Sequence, residues 1–427
     1  MNIPVNSIGT PPEEPEENRK EKKEKKEKPA ETKKVEAPNF VDKSLTPKQK
    51  MQIKIRRVKD KKPRQSILLA GTALLLALFF VVGNITVPAA VPKSKDFKNP
   101  GYQFTFLGDI MLGRYIRNEG QKNGYEQFYE NVKPVWKNSN YVFANLECAV
   151  LANKNTTYTP LEKVINLYTD TEAVANMMNA GINAISFANN HSGDFKNKAF
   201  MDAVKWFERK DLIYSGYINK EAYAAAKAAT DPNLPEAQYK PYTQIIAGEK
   251  KIGFIAVTDV YHAKTVKYGL LTTADGDLNN YIYQSSQEND MTIVYAHWGV
   301  EYDKDITEKQ TELAHQFIDA GADIVVGSHP HVLQNVEQYK KGIIFYSLGN
   351  FIMDQNNTFT CDSAIVQYNE DQTGKKSFEL IPIRIVNGCP RVTTSRFYQK
   401  RIQKELMADM DSSMYQITES GSIVINY

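Results

Sequence analysis

The sequence predicts an α/β body with a layered sheet core, carried behind a disordered charged arm and one transmembrane helix. Three observations point there. From Tyr102 onward, short runs rich in β-branched and aromatic residues alternate with stretches of helical period. An uncharged apolar segment, Ser66–Val87, stands before them, and the stretch "PPEEPEENRKEKKEKKEKPAETKK" within the first 65 residues is nearly free of large apolar side chains. At 427 residues the chain suffices for one large domain or two ordinary ones.

The arm comes first. Residues 1–65 hold 19 Lys and Arg against 11 Asp and Glu, whereas the whole chain holds 53 against 50, leaving 34 against 39 beyond residue 65. A basic arm is thus joined to a mildly acidic body. Its Pro-, Glu- and Lys-rich composition buries too little surface to offset the entropy of ordering, so disorder is expected, with a short helix at Pro47–Lys59. Such an arm suits nucleic acid or an anionic membrane surface, and the next segment selects the membrane. The 22 residues Ser66–Val87 would span about 33 Å as a helix, enough for a hydrocarbon core of about 30 Å. They offer no polar face for a buried core helix. Lys59, Lys61, Lys62 and Arg64 precede them, which places the N-terminus in the cytoplasm and the body outside a single-pass membrane anchor. "VPAA" at Val87–Ala90 has the look of a cleavage site, but a 65-residue leader is too long for a signal peptide. Residues 88–101 then read as a linker.

In the body, strands are expected at "QFTFLGD", "YVFANLE", "AISFAN", "KIGFIAVTD", "MTIVYAHW", "ADIVVGSH" and "GIIFYSLGN", with helices at "TEAVANMMNAG", "KAFMDAVKWFERKD" and "KQTELAHQFIDAG". "SAIVQYNEDQTGKKSFELIPIRIVNG" reads as a β-hairpin, followed by a helical or irregular tail. Of the three cysteines, Cys148 reads as buried, and Cys361 and Cys389 are disulfide candidates in an oxidising compartment.

The strand ends carry the chemistry. Asp109 closes the first run, Asn145 and Glu147 the second, and Asn190, His191 and Asp194 follow the third. "VYAHWGVEY" delivers His297 and Glu301, and "GSHPHVLQ" sets His329 and His331 on either side of Pro330. If that last stretch is extended, both imidazoles face one way, toward a metal ion or a phosphate. Four of the six histidines fall in this set, while His262 and His315 lie outside it. In open α/β sheets, ligands bind where the loops converge at the carboxyl ends of strands. Carboxylate, imidazole and amide donors suit one or two divalent ions of the Mn, Zn or Fe kind. A Cys-x-x-Cys pair, a Walker loop, a G-x-G-x-x-G and a G-x-S-x-G are all missing.

The order GD…NLE…NNH…D…HWGxEY…GxHxH…SLGNF, spread from about Gln103 to Asp354, resembles the poly-γ-glutamate capsule biosynthesis family of CapA/PgsA type. Members are membrane-anchored bacterial proteins whose outer domain is similar to calcineurin-like metallophosphoesterases. The resemblance implies an α-β-β-α sandwich over 102–356, with residues 357–427 packed on it as a hairpin and tail. It implies a first metal on Asp109 and His331, a second on Asn190, His297 and His329, and Glu147 bridging them. His191 takes the place of a histidine that contacts phosphate or protonates a leaving group, with Asp194 orienting it. Arg114, Asn145, Glu301 and Asn350 form the substrate-contacting set; Arg114 serves either an anionic ligand or a surface ion pair.

Two positions depart from the metallophosphoesterase pattern. Met111 stands where that pattern has a histidine ligand, and Glu147 replaces a shorter aspartate. Three functions stay open: a component of poly-γ-glutamate synthesis or export with a metal-centred pocket, a metal-dependent phosphoesterase or other hydrolase, and a non-catalytic subunit of a polymer synthase. The implied partners are the bilayer, synthase or export subunits and an anionic polymer, and not nucleic acid.

Overall fold

The structure, a computed structural model, describes residues 46–48, 50–52, 100–219 and 241–427. Most of the charged arm, the anchor at Ser66–Val87 and most of the linker lie outside the described residues. So does most of the helix expected at Pro47–Lys59, of which 47, 48 and 50–52 are helical. No helix among the described residues is long and apolar enough to cross a membrane.

Two large sheets build the body, beside a two-stranded one of Ala149–Leu151 and Tyr168–Asp170. The ten-stranded sheet centres on Pro100–Ile110, which runs parallel to Tyr141–Leu146 on one side and antiparallel to Asp362–Asp371 on the other. Tyr141–Leu146 continues in parallel to Ala184–Ser186 and Ile213–Ser215. The six-stranded sheet has four parallel strands, Lys250–Thr258, Met291–His297, Ile324–Ser328 and Gly342–Phe345. Parallel register brings strand ends level: Asp109 lies opposite Asn145, Asn145 opposite Ser186, and His297 opposite both Thr258 and Ser328.

Strand periodicity explains why the two sheets stack. In Met291–His297, Ile293 and Tyr295 point into one apolar cluster and Val294 and Ala296 into another. In Gly342–Phe345, Ile343 and Phe345 join the first and Ile344 the second. The first cluster also contains Phe104, Phe106 and Phe143 of the ten-stranded sheet, so it includes the layer between the sheets. Tyr295 crosses that layer, its hydroxyl reaching the carbonyls of Leu107 (3.0 Å) and Phe143 (3.1 Å). The second cluster is closed by the helices Leu278–Glu288 and Glu308–Asp319 through Ile282, Phe317 and Ile318. The latter helix starts on a capping box made by Thr307 and Gln310. Lys196–Arg209 buries Phe200, Val204 and Phe207 and adds them to the first cluster.

Three departures from the sequence reading shape the site. "AISFAN" is a strand only over Ala184–Ser186, after which the chain turns. "GIIFYSLGN" is two strands in different sheets: Gly342–Phe345 belongs to the six-stranded sheet and Asn350–Ile352 pairs with Pro100–Ile110. Gly349, with φ +66°, makes the crossing. The expected hairpin, Asp362–Asp371 with Lys376–Val386, extends the ten-stranded sheet itself. Cys361 and Cys389 are free thiols, and Cys148 is buried.

Candidate metal centre

Asp109 sits at an irregularity in strand pairing, and its backbone N–H donates to the Gly349 carbonyl at 3.0 Å. The preceding Gly108 is required here, because a Cβ would lie 2.0 Å from that same carbonyl oxygen. The fully buried Asp109 carboxylate accepts from Asn145 Nδ2 at 2.8 Å and from the His329 backbone N–H at 3.1 Å. Asn145 is held in turn by Asn189, whose Nδ2 donates to its Oδ1 at 3.1 Å.

His329 and His331 are not extended. Their φ values are +98° and +59°, and the rings stand 6.0 Å apart with planes 48° from parallel. Backbone of this kind costs about 1–3 kcal/mol per residue, and the Asp109 bond to the His329 N–H helps hold it. Consequently the two imidazoles serve different neighbours. His329 approaches His297, with ring centroids 4.7 Å apart. His331 turns to Asp109 Oδ2 at 3.4 Å and to Asn350 Oδ1 at 2.9 Å.

Glu147 lies between them. Its Oε1 is 3.7 Å from His297 Nε2 and 3.8 Å from His331 Nε2. Both carboxylate oxygens are buried with no hydrogen-bond partner among the described residues, and the same holds for His329 Nδ1. Two groups of donor atoms result, Asp109–Glu147–His331 and Glu147–His297–His329, each with its atoms within 4.8 Å of one another and Glu147 common to both. Asn190 Oδ1 adds an amide oxygen to the second, 2.9 Å from His297 Nε2. Unpartnered buried carboxylate and imidazole atoms are costly and form a donor set that fits divalent cations. These buried groups are able to hold a metal ion.

The electrostatics agree with that chemistry. Burial pushes the Glu147 carboxyl well above its ordinary value, the Asp109 charge adding to it and His331 opposing. Burial holds His297 well below the usual imidazole range and His329 at about 4, keeping both neutral as ligands must be. Burial also pulls on His331, but Glu147 and Asp109 outweigh it and raise it to about 9.

Beside the donors, His191 Nδ1 lies 2.8 Å from Asp194 Oδ2. Asp194 is fully buried, accepts from the Leu167 N–H at 2.6 Å and pairs with Lys163. Lys163 Nζ also reaches the Asn190 carbonyl at 2.9 Å. The remaining expected residues lie around this pocket. Arg114 is exposed and pairs with Asp354. Glu301 is exposed, close enough for its charge to act on Glu147 and His331. Asn350 orients His331 and donates to Gln355 Oε1 and the Thr360 carbonyl, each at 3.0 Å. Met111 is buried, and its sulfur accepts from the Gly113 N–H at 3.0 Å. His262 caps a short helix and His315 stacks on Tyr339, and neither belongs to either donor group.

The family described as bacterial capsule synthesis protein PGA_cap matches residues 103–355, the span that carries every one of these side chains. The chain belongs to the PGA_cap, or CapA, capsule biosynthesis family. It is 32% identical over 376 residues to a "Capsule biosynthesis protein CapA" of Bacillus anthracis, covering 86% of this chain and 87% of that one. A "PGA biosynthesis protein CapA" of Bacillus subtilis (strain 168) is 32% identical over 364 residues, covering 84% and 90%. Among solved structures, Vacuolar Protein Sorting 29 from Cryptosporidium parvum aligns with 69% of this chain and 97% of its own, at 13% identity and a TM-score of 0.27.

Within this PGA_cap domain, Lys163 and Ser328 carry no sequence signal as site residues, and Tyr302 shows only as the last letter of the HWGxEY motif, with no role assigned to it. Lys163 lies in a loop without a motif, yet it is the cation at Asp194. Ser328 Oγ, 3.1 Å from His297 Nδ1, looks like an ordinary strand residue. Tyr302, with φ +67°, stands 5.9 Å from the His331 ring. Asn189 was legible only as half of an Asn doublet.

Proposed function

We propose that this chain serves poly-γ-glutamate capsule synthesis or export as a membrane-anchored component working outside the cytoplasm, with a pocket that holds one or two divalent metal ions. Family membership and the names of the two Bacillus relatives support the capsule role. The uncharged Ser66–Val87 segment behind a basic arm supports the anchor and its orientation. The two stacked sheets with helices outside them support an α-β-β-α sandwich of metallophosphoesterase type. One observation carries the metal centre: a buried carboxylate, Glu147, that hydrogen-bonds to nothing among the described residues and belongs to both donor groups.

Asp109, Glu147 and His331 would hold one ion; Glu147, Asn190, His297 and His329 the other. Bound ions of this class supply charge stabilisation and an activated water. The chain's own groups prepare the pocket. Asn145 and the His329 N–H fix the Asp109 carboxylate, and Asn350 fixes the His331 ring. Asp194 holds His191 by Nδ1, leaving the opposite ring nitrogen to move a proton at a bound ligand. Burial lowers the His191 imidazole below its ordinary value, and Lys163, paired with Asp194, adds to that, so the ring is oriented without being locked in its charged form. That His191–Asp194 pair favours hydrolytic or phosphoryl chemistry on a polymer or carrier-linked intermediate. The Met111 sulfur, engaged by the Gly113 N–H, leaves the Asp109 group a ligand short and favours instead an accessory subunit of the synthase that binds without turnover.

Replacement of the gene in a capsule-forming host tests these readings. Glu147→Gln is expected to abolish surface polymer and metal content together. His191→Ala is expected to abolish polymer with metal retained under the hydrolytic reading, and to leave polymer intact under the accessory one. Normal polymer in both strains would overturn the proposal.

A further inference from the structure

A second binding feature lies on the helix that follows Asp194. An open surface cavity of about 250 Å³ is lined by Ala152, Asn153, Lys154, Asp202, Lys205 and Arg209. Asp202, Lys205 and Arg209 recur at three- and four-residue spacing, so they share one face of Lys196–Arg209. The opposite wall is the loop carrying Asn153 and Lys154. That loop is built against the helix: Tyr158 donates its hydroxyl to Asp202 Oδ2 at 2.8 Å and accepts from the Asn153 N–H at 3.0 Å. The acid in the cavity is already matched, because Lys198 pairs with Asp202 at 3.0 Å. Lys154, Lys205 and Arg209 are exposed, and none forms an ion pair with an acidic side chain among the described residues. Three cations therefore face an open trough on a body whose overall balance is acidic.

From this we infer that the trough formed by Lys154, Lys205 and Arg209 is a binding track for an anionic polycarboxylate chain, a poly-γ-glutamate segment. The inference rests on the proposed capsule role and names a second contact for the same polymer. Its chemistry selects this ligand over others. The lining contains no aromatic ring, so bases and sugars have nothing to stack on. Its one apolar residue is Ala152, which gives a lipid chain no surface to bury against. Lys205 and Arg209 stand about 6 Å apart along the helix, and Lys154 faces them from the other wall. Spread charges of that kind match a chain with one carboxylate per residue better than a single phosphate. Both walls also lead by covalent chain to the candidate site. The helix begins two residues after Asp194, and Lys154 precedes Lys163 in the same loop.

The test uses the full-length protein in detergent with a fluorescent γ-linked glutamate oligomer, followed by anisotropy at low and high salt. Wild type is expected to bind with an affinity that falls as salt rises. Lys205→Glu combined with Arg209→Glu is expected to weaken binding by about tenfold or more, with metal content and melting temperature unchanged, while Lys205→Arg retains binding. Unaltered binding by the double variant would overturn the track while leaving the capsule reading standing. Failure of wild type to bind the oligomer at any salt would count against both. Equal competition by inorganic polyphosphate would overturn the assignment to polycarboxylate.

Discussion

Replacing Glu147 by Gln should have opposite effects on the metal-free and metal-loaded protein. In the metal-free state both carboxylate oxygens are buried without a partner among the described residues. An unsatisfied buried polar group costs about 1–3 kcal/mol, and more when charged. Glutamine keeps the length and removes the charge. The loss on the other side is attraction to His331 across 3.8 Å, but His331 keeps Asp109 at 3.4 Å and Asn350 at 2.9 Å. Burial also outranks the His331 charge among the influences on Glu147. Desolvation therefore wins, and the chelated variant is expected to be more stable than chelated wild type by about 1–2 kcal/mol, a rise of a few degrees in melting temperature. With metal the order reverses. Wild type gains about 2.7 kcal/mol at a hundredfold excess of ion over its dissociation constant, and the variant gains almost nothing. Thermal melts in chelator and in Mn²⁺ or Zn²⁺ read both states. The reasoning is refuted if the chelated variant melts below wild type, or if the ion raises both proteins equally.

Further outcomes follow from the same contacts. In chelated protein the two neighbouring imidazoles contribute opposite pH dependences. His329 has a folded pKa lowered to about 4, so its contribution is lost as pH falls from about 6.5 toward 4; His331, raised to about 9, loses its contribution as pH rises from about 6.5 through 9. Denaturant titration across pH checks both limbs. Metal binding near pH 7 should release protons, from His331, raised to about 9, and from the raised Glu147 carboxyl, measurable by calorimetry in two buffers of different ionisation enthalpy. Lys163→Met leaves the fully buried Asp194 without its cation and is expected to cost about 3 kcal/mol in denaturant unfolding. Gly108→Ala drives a methyl against the Gly349 carbonyl, displaces Asp109 and is expected to cost about 3 kcal/mol together with metal affinity.

Much of the site could be read from the sequence because its donors end strands. Parallel strands with regular period put Asp109, Asn145 and His297 on one rim, and the helices Thr171–Asn179 and Glu308–Asp319 showed in their apolar spacing. The geometry of His329 and His331 did not follow from alternation. Their left-handed backbone depends on a tertiary bond from the His329 N–H to Asp109, 220 residues away in sequence. For the same reason "GIIFYSLGN" looked like one strand: nothing local to Gly349 reveals that the chain changes sheets there. Lys163 was illegible because a lysine in a polar loop carries no pattern until Asp194 is placed beside it. The helix Arg114–Asn123 was missed as well, since only Ile116 and Gly120 of its ten residues are buried and the apolar stripe is correspondingly thin.

Anomalous diffraction from crystals of the protein grown with Mn²⁺ or Zn²⁺ would locate the ions directly. One peak is expected in contact with Glu147, His297 and His329, and at full loading a second in contact with Asp109, Glu147 and His331. Metal-saturated crystals with no peak touching Glu147 would contradict the proposed centre.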